Sequence, residues 1–168
     1  MRFVTTPVFS TSRNARRKNR MYKPLLDAFR ERPEIATTLV RHAQSIGTSG
    51  TVPRRVKELC ALMVSWLNAC EYCTSCHADL AERLGIDQST LDDLGNYARS
   101  DHFSAAERAA LAAAVALTRE PRALPENLRA DLLAHFNAGE FTEIIATIGF
   151  YNYVSRVSNA LQLATVLG

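Results

Sequence analysis

The sequence predicts an all-α protein built as a bundle of about eight helices. Apolar residues recur at spacings of three and four through most of the chain, and no stretch alternates convincingly with the period of two that a half-buried strand shows. Proline and glycine punctuate these periodic segments where helices open and close. Ser104 and Glu107 form an S-x-x-E capping pattern directly ahead of the alanine-rich run AAERAALAAAVALTRE.

Taken in order, Pro24 can open a short helix through about Arg30, because its fixed φ suits a first turn. Pro33 can open a second, PEIATTLVRHAQSI, which Gly47 ends before the break GTSGT. Pro53 suits the first turn of a third, with Val56, Leu59, Cys60, Met63, Trp66 and Leu67 at helical spacing. The segment from Cys70 runs to about Leu84, with Gly85 as its stop. Asp87 can cap a short helix through about Tyr97. The helix after Ser104 is stopped by Pro121, and Pro125 opens another that closes near Gly139. The segment from Phe141 to Leu167 reads as one long final helix, interrupted at most near Gly149.

A chain of 168 residues is long enough for one domain with its own core. Its formal charge of +3 is unevenly distributed. Residues 1–26 hold seven basic side chains and no acid, so the remainder has 13 basic against 17 acidic residues, a balance of −4. Residues 1–22 are therefore expected to be a basic arm, solvated or packed on a neighbouring subunit, ahead of a helical domain over 23–168. A mildly acidic domain lacks the basic face that nucleic-acid binding requires, so no nucleic-acid partner is expected. No run of 18 apolar residues occurs, so no membrane span is expected. No apolar leader region follows the first basic residue, and a cytoplasmic location is expected.

The chemistry concentrates in NACEYCTSCHADLAERLG, residues 68–85, which holds three of the four cysteines. With roughly 100° per residue, Cys70, Cys73 and His77 share one helix face and Cys76 lies at its edge. His77 is four residues past Cys73, within direct or one-water reach. Cys70 lies two turns from His77, roughly 10 Å along the axis, so His77 can activate Cys73 but not Cys70. First-turn N–H groups also favour a thiolate, and the i,i+3 spacing lets the two sulfurs approach bonding distance. Cys73 thus reads as the attacking thiolate and Cys70 as the resolving thiol. Glu58 lies within the apolar stretch VKELCALMVSWLNAC, and a buried carboxylate needs a partner. It is the candidate to orient His77.

Glu58, eleven intervening residues, Cys70-x-x-Cys73, three residues and His77 together resemble the alkylhydroperoxidase D-like branch of the carboxymuconolactone decarboxylase superfamily. HADLAERLG, FSAAERAALAAAVALT and the segment from Pro33 to Cys73 extend the similarity over roughly residues 30–165. The resemblance implies a helical antioxidant fold assembled as a homo-oligomer, a trimer or hexamer. It implies that Cys73 attacks a hydroperoxide, that Cys70 then closes a disulfide, and that Glu58 and His77 relay protons. The implied partners are a hydroperoxide substrate and a dithiol or lipoyl-bearing reductant protein, with no cofactor and no metal. Tyr72 stands where the best-known members place a histidine, so the relay is expected to be shorter or to use water. Tyr72 and Trp66 are expected to support the pocket.

Other readings of the same residues are a decarboxylase-type lyase, whose typical members lack the paired cysteines, and a non-enzymatic redox-sensing or metal-binding module. CTSCH, residues 73–77, matches the C-x-x-C-H haem attachment pattern, which normally requires export. Cys70, Cys73, Cys76 and His77 could ligate zinc only if their helix unwound, since four ligands on one helix cannot surround an ion. An iron–sulfur site would need the distant Cys60 as well. Cys76 is otherwise a buried, inert thiol or an alternative disulfide partner of Cys73. His42, His102 and His135 are expected at the surface or at helix ends. Tyr151, Asn152 and Asn159 are secondary candidates for a pocket wall.

Overall fold

The computed structural model describes residues 13–120 and 122–165, with side chains from Met21 onward. All regular structure among the described residues is helical, as the sequence predicts. The eight α-helices are α1 (Arg13–Ala28), α2 (Pro33–Thr48), α3 (Arg54–Leu67), α4 (Glu71–Arg83), α5 (Gln88–Asp92), α6 (Ala105–Arg119), α7 (Glu126–His135) and α8 (Ala138–Ala160). A single 3₁₀ turn, Leu94–Asn96, lies between α5 and α6. No helix among the described residues is long and apolar enough to cross a membrane.

Helix α3 is the axis of the bundle. Every residue from Val56 to Ser65 is buried, because α4, α6 and α8 pack around it. Leu59, Met63 and Val64 of α3 meet Leu111 of α6, Leu132 of α7, and Ile144 and Ile148 of α8 in one core. Burying each such large side chain contributes about 1.5–3 kcal/mol relative to leaving it in water. Ala109, Ala110, Ala113 and Ala114 are all buried, and this small-residue face of α6 lets the two helices approach closely.

The two charges inside α3 are both satisfied. Lys57 Nζ donates to the carbonyls of Ile46 (2.9 Å) and Ser49 (2.6 Å) and pairs with the Glu143 carboxylate of α8. Glu143 also accepts the N–H groups of Thr51 (3.1 Å) and Val52 (3.3 Å). This clamp explains Gly50, which has φ +79° and whose Cβ, were there one, would collide with the Glu143 carboxylate.

The capping box ahead of α6 forms in full: Ser104 Oγ accepts the Glu107 N–H (3.2 Å) and Glu107 accepts the Ser104 N–H (2.8 Å). Pro33 begins α2, Pro53 and Pro125 sit one residue before α3 and α7, and Gly85 follows α4 at φ +76°. Pro121 lies outside the described residues, and α6 ends at Arg119.

Four boundaries differ from expectation. Helix α1 begins at Arg13 and runs through Pro24 rather than starting there, so it overlaps the expected basic arm. An interior proline costs about 3 kcal/mol; Met21 and Leu25, four residues apart and both buried, offset it by anchoring this face. The single helix expected from Asp87 to Tyr97 divides into α5 and the 3₁₀ turn. Helix α7 ends at His135, and Gly139 is in the first turn of α8 rather than closing α7. Asn137 and Glu140 form a second capping box there, with Asn137 Oδ1 accepting the N–H groups of Gly139 (2.9 Å) and Glu140 (3.0 Å). Helix α8 then continues unbroken past Gly149 and ends at Ala160, short of Leu167.

Candidate active site

The cysteine segment begins where α3 runs out. Ala69 adopts φ +51°, the left-handed region that costs a residue with a side chain about 1 kcal/mol or more. The neighbouring contacts hold it there. Asn159 Nδ2 donates to the Asn68 carbonyl (2.8 Å), Asn68 Nδ2 donates to Asn152 Oδ1 (3.0 Å), and the Cys70 N–H reaches the Ser65 carbonyl (3.0 Å). The chain thereby turns so that Cys70 is the N-cap of α4 and Cys73 its third residue.

In that position Cys70 Sγ accepts the Cys73 backbone N–H at 3.3 Å. The two sulfurs are 2.6 Å apart, close enough to share a proton, and both residues are buried free cysteines. The hydrogen bond from Cys73 brings the Cys70 thiol down to about 7, with the Cys73 N–H, Ser158 and His77 adding to it against the effect of burial. The same shared proton, together with burial, pushes the Cys73 thiol up. Of the two thiols, Cys70 is the one whose surroundings favour the thiolate. The contact between the two sulfurs is the main cause, and the N-cap position adds an N–H of the first turn aimed at Cys70.

Glu58 and His77 meet as expected. Glu58 Oε1 bonds the Nδ1 of His77, and both side chains are buried. Glu58 Oε2 lies 3.7 Å from Arg54 Nε, and the Arg54 guanidinium also donates to the Gly47 carbonyl. The buried carboxylate is thus balanced by an imidazole on one oxygen and a guanidinium on the other. Tyr151 of α8 packs edge-on against the His77 ring, with centroids 4.4 Å apart and planes at 87°. With Nδ1 engaged by Glu58, Nε2 is the ring nitrogen left to exchange a proton with its surroundings.

His77, Cys73 and Cys76 line a small, partly open cavity. Apolar side chains from α1, α2, α4 and α8 form most of its wall, among them Met21, Leu25, Leu39, Leu80, Phe150 and Val154. Tyr22, Tyr151 and Arg54 supply its polar edges. Burial, followed by the Glu58 charge, raises the Tyr22 hydroxyl to about 12 and pushes Tyr151 up as well, so both are neutral donors at neutral pH. Cys70 is not part of the cavity wall. Cys73 is therefore the member of the pair that a bound molecule meets.

Tyr72 lines this cavity, and its hydroxyl donates to the Met21 carbonyl at 2.7 Å, which fastens α1 over the site. Trp66 does not line it, contrary to expectation. It is 52% exposed in the last turn of α3, lying against Gly95, where a Cβ would come within 3.3 Å of the indole. Cys76 is buried at the wall and Cys60 in the core, and burial raises each thiol to about 12. Of the secondary candidates, Tyr151 is at the cavity, whereas Asn152 and Asn159 act behind it by holding Asn68. His42, His102 and His135 are exposed.

Arg54 could have been found from the sequence, since it stands four residues before Glu58 on the same helix. Tyr22 was hidden by placing the start of α1 at Pro24. Ser155 and Ser158 of α8, both fully buried, lie near the sulfurs and favour the anionic form of Cys73, and Ser158 that of Cys70 as well. Nothing local in the sequence marks them.

Residues 33–116 match the model of the Carboxymuconolactone decarboxylase family, half of the chain. The chain belongs to the carboxymuconolactone decarboxylase family. Among curated proteins it is 32% identical over 109 residues to the uncharacterized protein YnjA of Escherichia coli strain K12. That match covers 64% of this chain and 59% of YnjA, less than two thirds of the relative's length. ATU0492 of Agrobacterium tumefaciens, a protein of unknown function grouped with the antioxidant defence protein AhpD, superposes with a TM-score of 0.77 at 22% identity, over 82% of this chain and 94% of that one. The debrominase Bmp8 superposes with a TM-score of 0.75 at 21% identity, over 97% and 94% of the two chains. The chain thus shares its fold with both of these proteins, one of them a debrominase.

Proposed function

We propose that this member of the carboxymuconolactone decarboxylase family is a thiol-dependent peroxidase that reduces organic hydroperoxides. The observation that carries the reading is the juxtaposition of two sulfurs 2.6 Å apart with an imidazole, held by a buried carboxylate, on the wall of a largely apolar cavity. Two thiols in contact can accept an oxygen atom and close to a disulfide, which neither a lyase nor a structural core needs.

In this reading the hydroperoxide ROOH enters over Cys73. The Cys73 sulfur loses its proton to His77 and attacks the terminal oxygen. The O–O bond breaks, an S–O bond forms, and the alkoxide takes a proton from His77 and leaves as ROH. Cys73 is now a sulfenic acid. Cys70, as the neighbouring thiolate, attacks that sulfur; an S–S bond forms and the hydroxyl leaves as water with one proton. A dithiol reductant, free or carried as a lipoyl group on a partner protein, exchanges with the disulfide and restores both thiols. Glu58 holds the imidazole in place; Arg54 balances that carboxylate.

The test is stopped-flow reaction of prereduced protein with cumene and tert-butyl hydroperoxide, with thiols counted before and after. Loss of two thiols per chain, and its abolition in Cys73→Ser, is the expected result. No thiol loss with any peroxide refutes the reading. Thiol loss with release of bromide from a brominated pyrrole, but none with peroxides, would move the assignment to the reductive dehalogenation that the name debrominase attaches to Bmp8.

A further inference from the structure

Helix α8 carries several hydroxyl side chains, and they divide into two kinds. Thr142 and Thr147 donate to the carbonyls four residues before them, Ala138 (3.0 Å) and Glu143 (2.8 Å), the usual use of a hydroxyl within a helix. Ser155 and Ser158 do not. Both are buried, at 0% and 1% exposure, and neither hydroxyl completes a hydrogen bond of good geometry among the described residues. A buried hydroxyl without a partner is costly, and two on one face, three residues apart, call for an explanation.

Their surroundings supply it. The end of α8 packs on the sulfur cluster, where Val154 and Leu163 lie against the group formed by Met21, Cys70, Tyr72, Cys73 and Cys76. Asn159, in the same turn, is tied to the Asn68 carbonyl just ahead of Cys70. The two buried serines of this turn are neighbours of Cys73 from α8, and they favour its anionic form where burial and Cys70 oppose it. A neutral thiol is a poor acceptor, so hydroxyls beside it remain unpaired; a thiolate is a strong acceptor and completes both bonds.

We infer that Ser155 and Ser158 form a paired donor site for the Cys73 thiolate, unfilled while the sulfur holds its proton and filled when that proton passes to His77. The inference rests on the reading of Cys73 as the attacking sulfur, and it adds residues from α8 to a site otherwise built from α3 and α4. The gain belongs to the charged state alone, which makes it a contribution to reactivity and not to resting stability.

The test needs no peroxide. Reduced protein is alkylated with iodoacetamide across a pH series, and each cysteine is followed by peptide mass spectrometry in the unaltered chain, Ser155→Ala, Ser158→Ala and the double variant. The double variant should alkylate Cys73 about tenfold more slowly near pH 7, while Cys76 keeps its profile. Ser158→Thr, which retains a hydroxyl, should keep most of the original rate. Because the hydroxyls are unpaired in the dithiol, the alanine variants should melt no lower than the parent, and either single variant carries the test with a smaller loss of rate. An unchanged Cys73 profile in variants of native helicity overturns the inference. A failure of the unaltered chain to consume peroxides leaves this titration as it is, so the two readings fail separately.

Discussion

Glu58 and His77 stand 19 residues apart in the chain, on consecutive helices, and are joined side chain to side chain inside the bundle. Arg54 lies near the second oxygen of the carboxylate, with its Nε at 3.7 Å. The pair fixes the imidazole through Nδ1, and the ring lines the same cavity as Cys73. The contact also joins α3, the axis of the core, to α4, the helix that bears the sulfurs.

Replacing Glu58 by Gln should therefore leave a folded protein with a poorly oriented ring. Positioned acid–base groups contribute about 10²–10⁴ in rate, so peroxide turnover should fall by about 10² or more. Near-parental turnover in the stopped-flow assay would remove Glu58 from the relay.

The Cys70 thiol gives a pH dependence with a definite sign. Its value falls from 9.0 to about 7 on folding. The folded state therefore sheds this proton more readily, and the stabilisation is present above pH 9 and lost as pH falls through about 7. The raised thiols of Cys76 and Cys60 act oppositely, since their stability is intact below 9 and lost as pH rises toward about 12. Thermal melts of the reduced protein should rise between pH 7 and 9 and decline beyond. Cys70→Ser should flatten the rising limb, and a limb that persists in that variant would assign it elsewhere.

The hydroxyl of Tyr72 is a tether between α4 and α1. In Tyr72→Phe the Met21 carbonyl keeps its helical donor but loses the second one, at a cost of about 0.5–1.5 kcal/mol. The loss should be local. Hydrogen exchange over residues 13–28 should accelerate while the core of α3 stays protected. Equal acceleration in both would show that α1 does not open as a separate unit.

These contacts show how much of the site was legible beforehand. Glu58, Cys70, Cys73 and His77 could be read because three of them share one helix and the fourth is a charge within an apolar run. The lowering of the Cys70 thiol could not, because it depends first on the contact between the two sulfurs, which spacing alone does not fix. Ser155, Ser158 and Tyr151 reach the site from α8, about eighty residues away in sequence, and no spacing rule links them to it. The helical boundaries were legible where a cap and a stop agreed, as at Ser104 and Gly85. They were missed where a strong signal competed with a stronger one: Pro24 against the buried Met21–Leu25 stripe, and Gly139 against the Asn137 cap. Trp66 followed the apolar period of α3, yet that helix is covered through Ser65 and the period continues past the cover.

Cys76 lies on the cavity wall with Cys73, which makes it the alternative partner for a disulfide. Its thiol is raised to about 12 by burial, so it is almost wholly protonated at neutral pH and a slow attacker of a sulfenic acid. Cys76→Ala should still lose two thiols per chain on peroxide treatment. Loss of turnover in that variant, or a Cys73–Cys76 bridge by peptide mapping of the parent, would replace Cys70 as the resolving residue.

Asn152 tests whether the geometry of the pair depends on what stands behind it. Its side chain accepts from Asn68 Nδ2 (3.0 Å) and from Arg156 (2.8 Å) and donates to Thr118 Oγ1 (3.0 Å), joining α6 and α8 to the turn before Cys70. That turn holds Ala69 at φ +51°, a conformation that persists only while its surroundings impose it. Asn152→Ala removes one acceptor and one donor from a buried network and should destabilise the fold by about 1–3 kcal/mol. It should also loosen the N-cap position of Cys70, so that its alkylation midpoint rises from about 7 toward the 9.0 of an ordinary thiol. Ala69→Gly, which relieves the backbone without touching the network, should keep that midpoint near its original value. A midpoint that stays near 7 in Asn152→Ala would mean that the sulfur contact and the helix end set the acidity of Cys70 without help from the asparagines behind it.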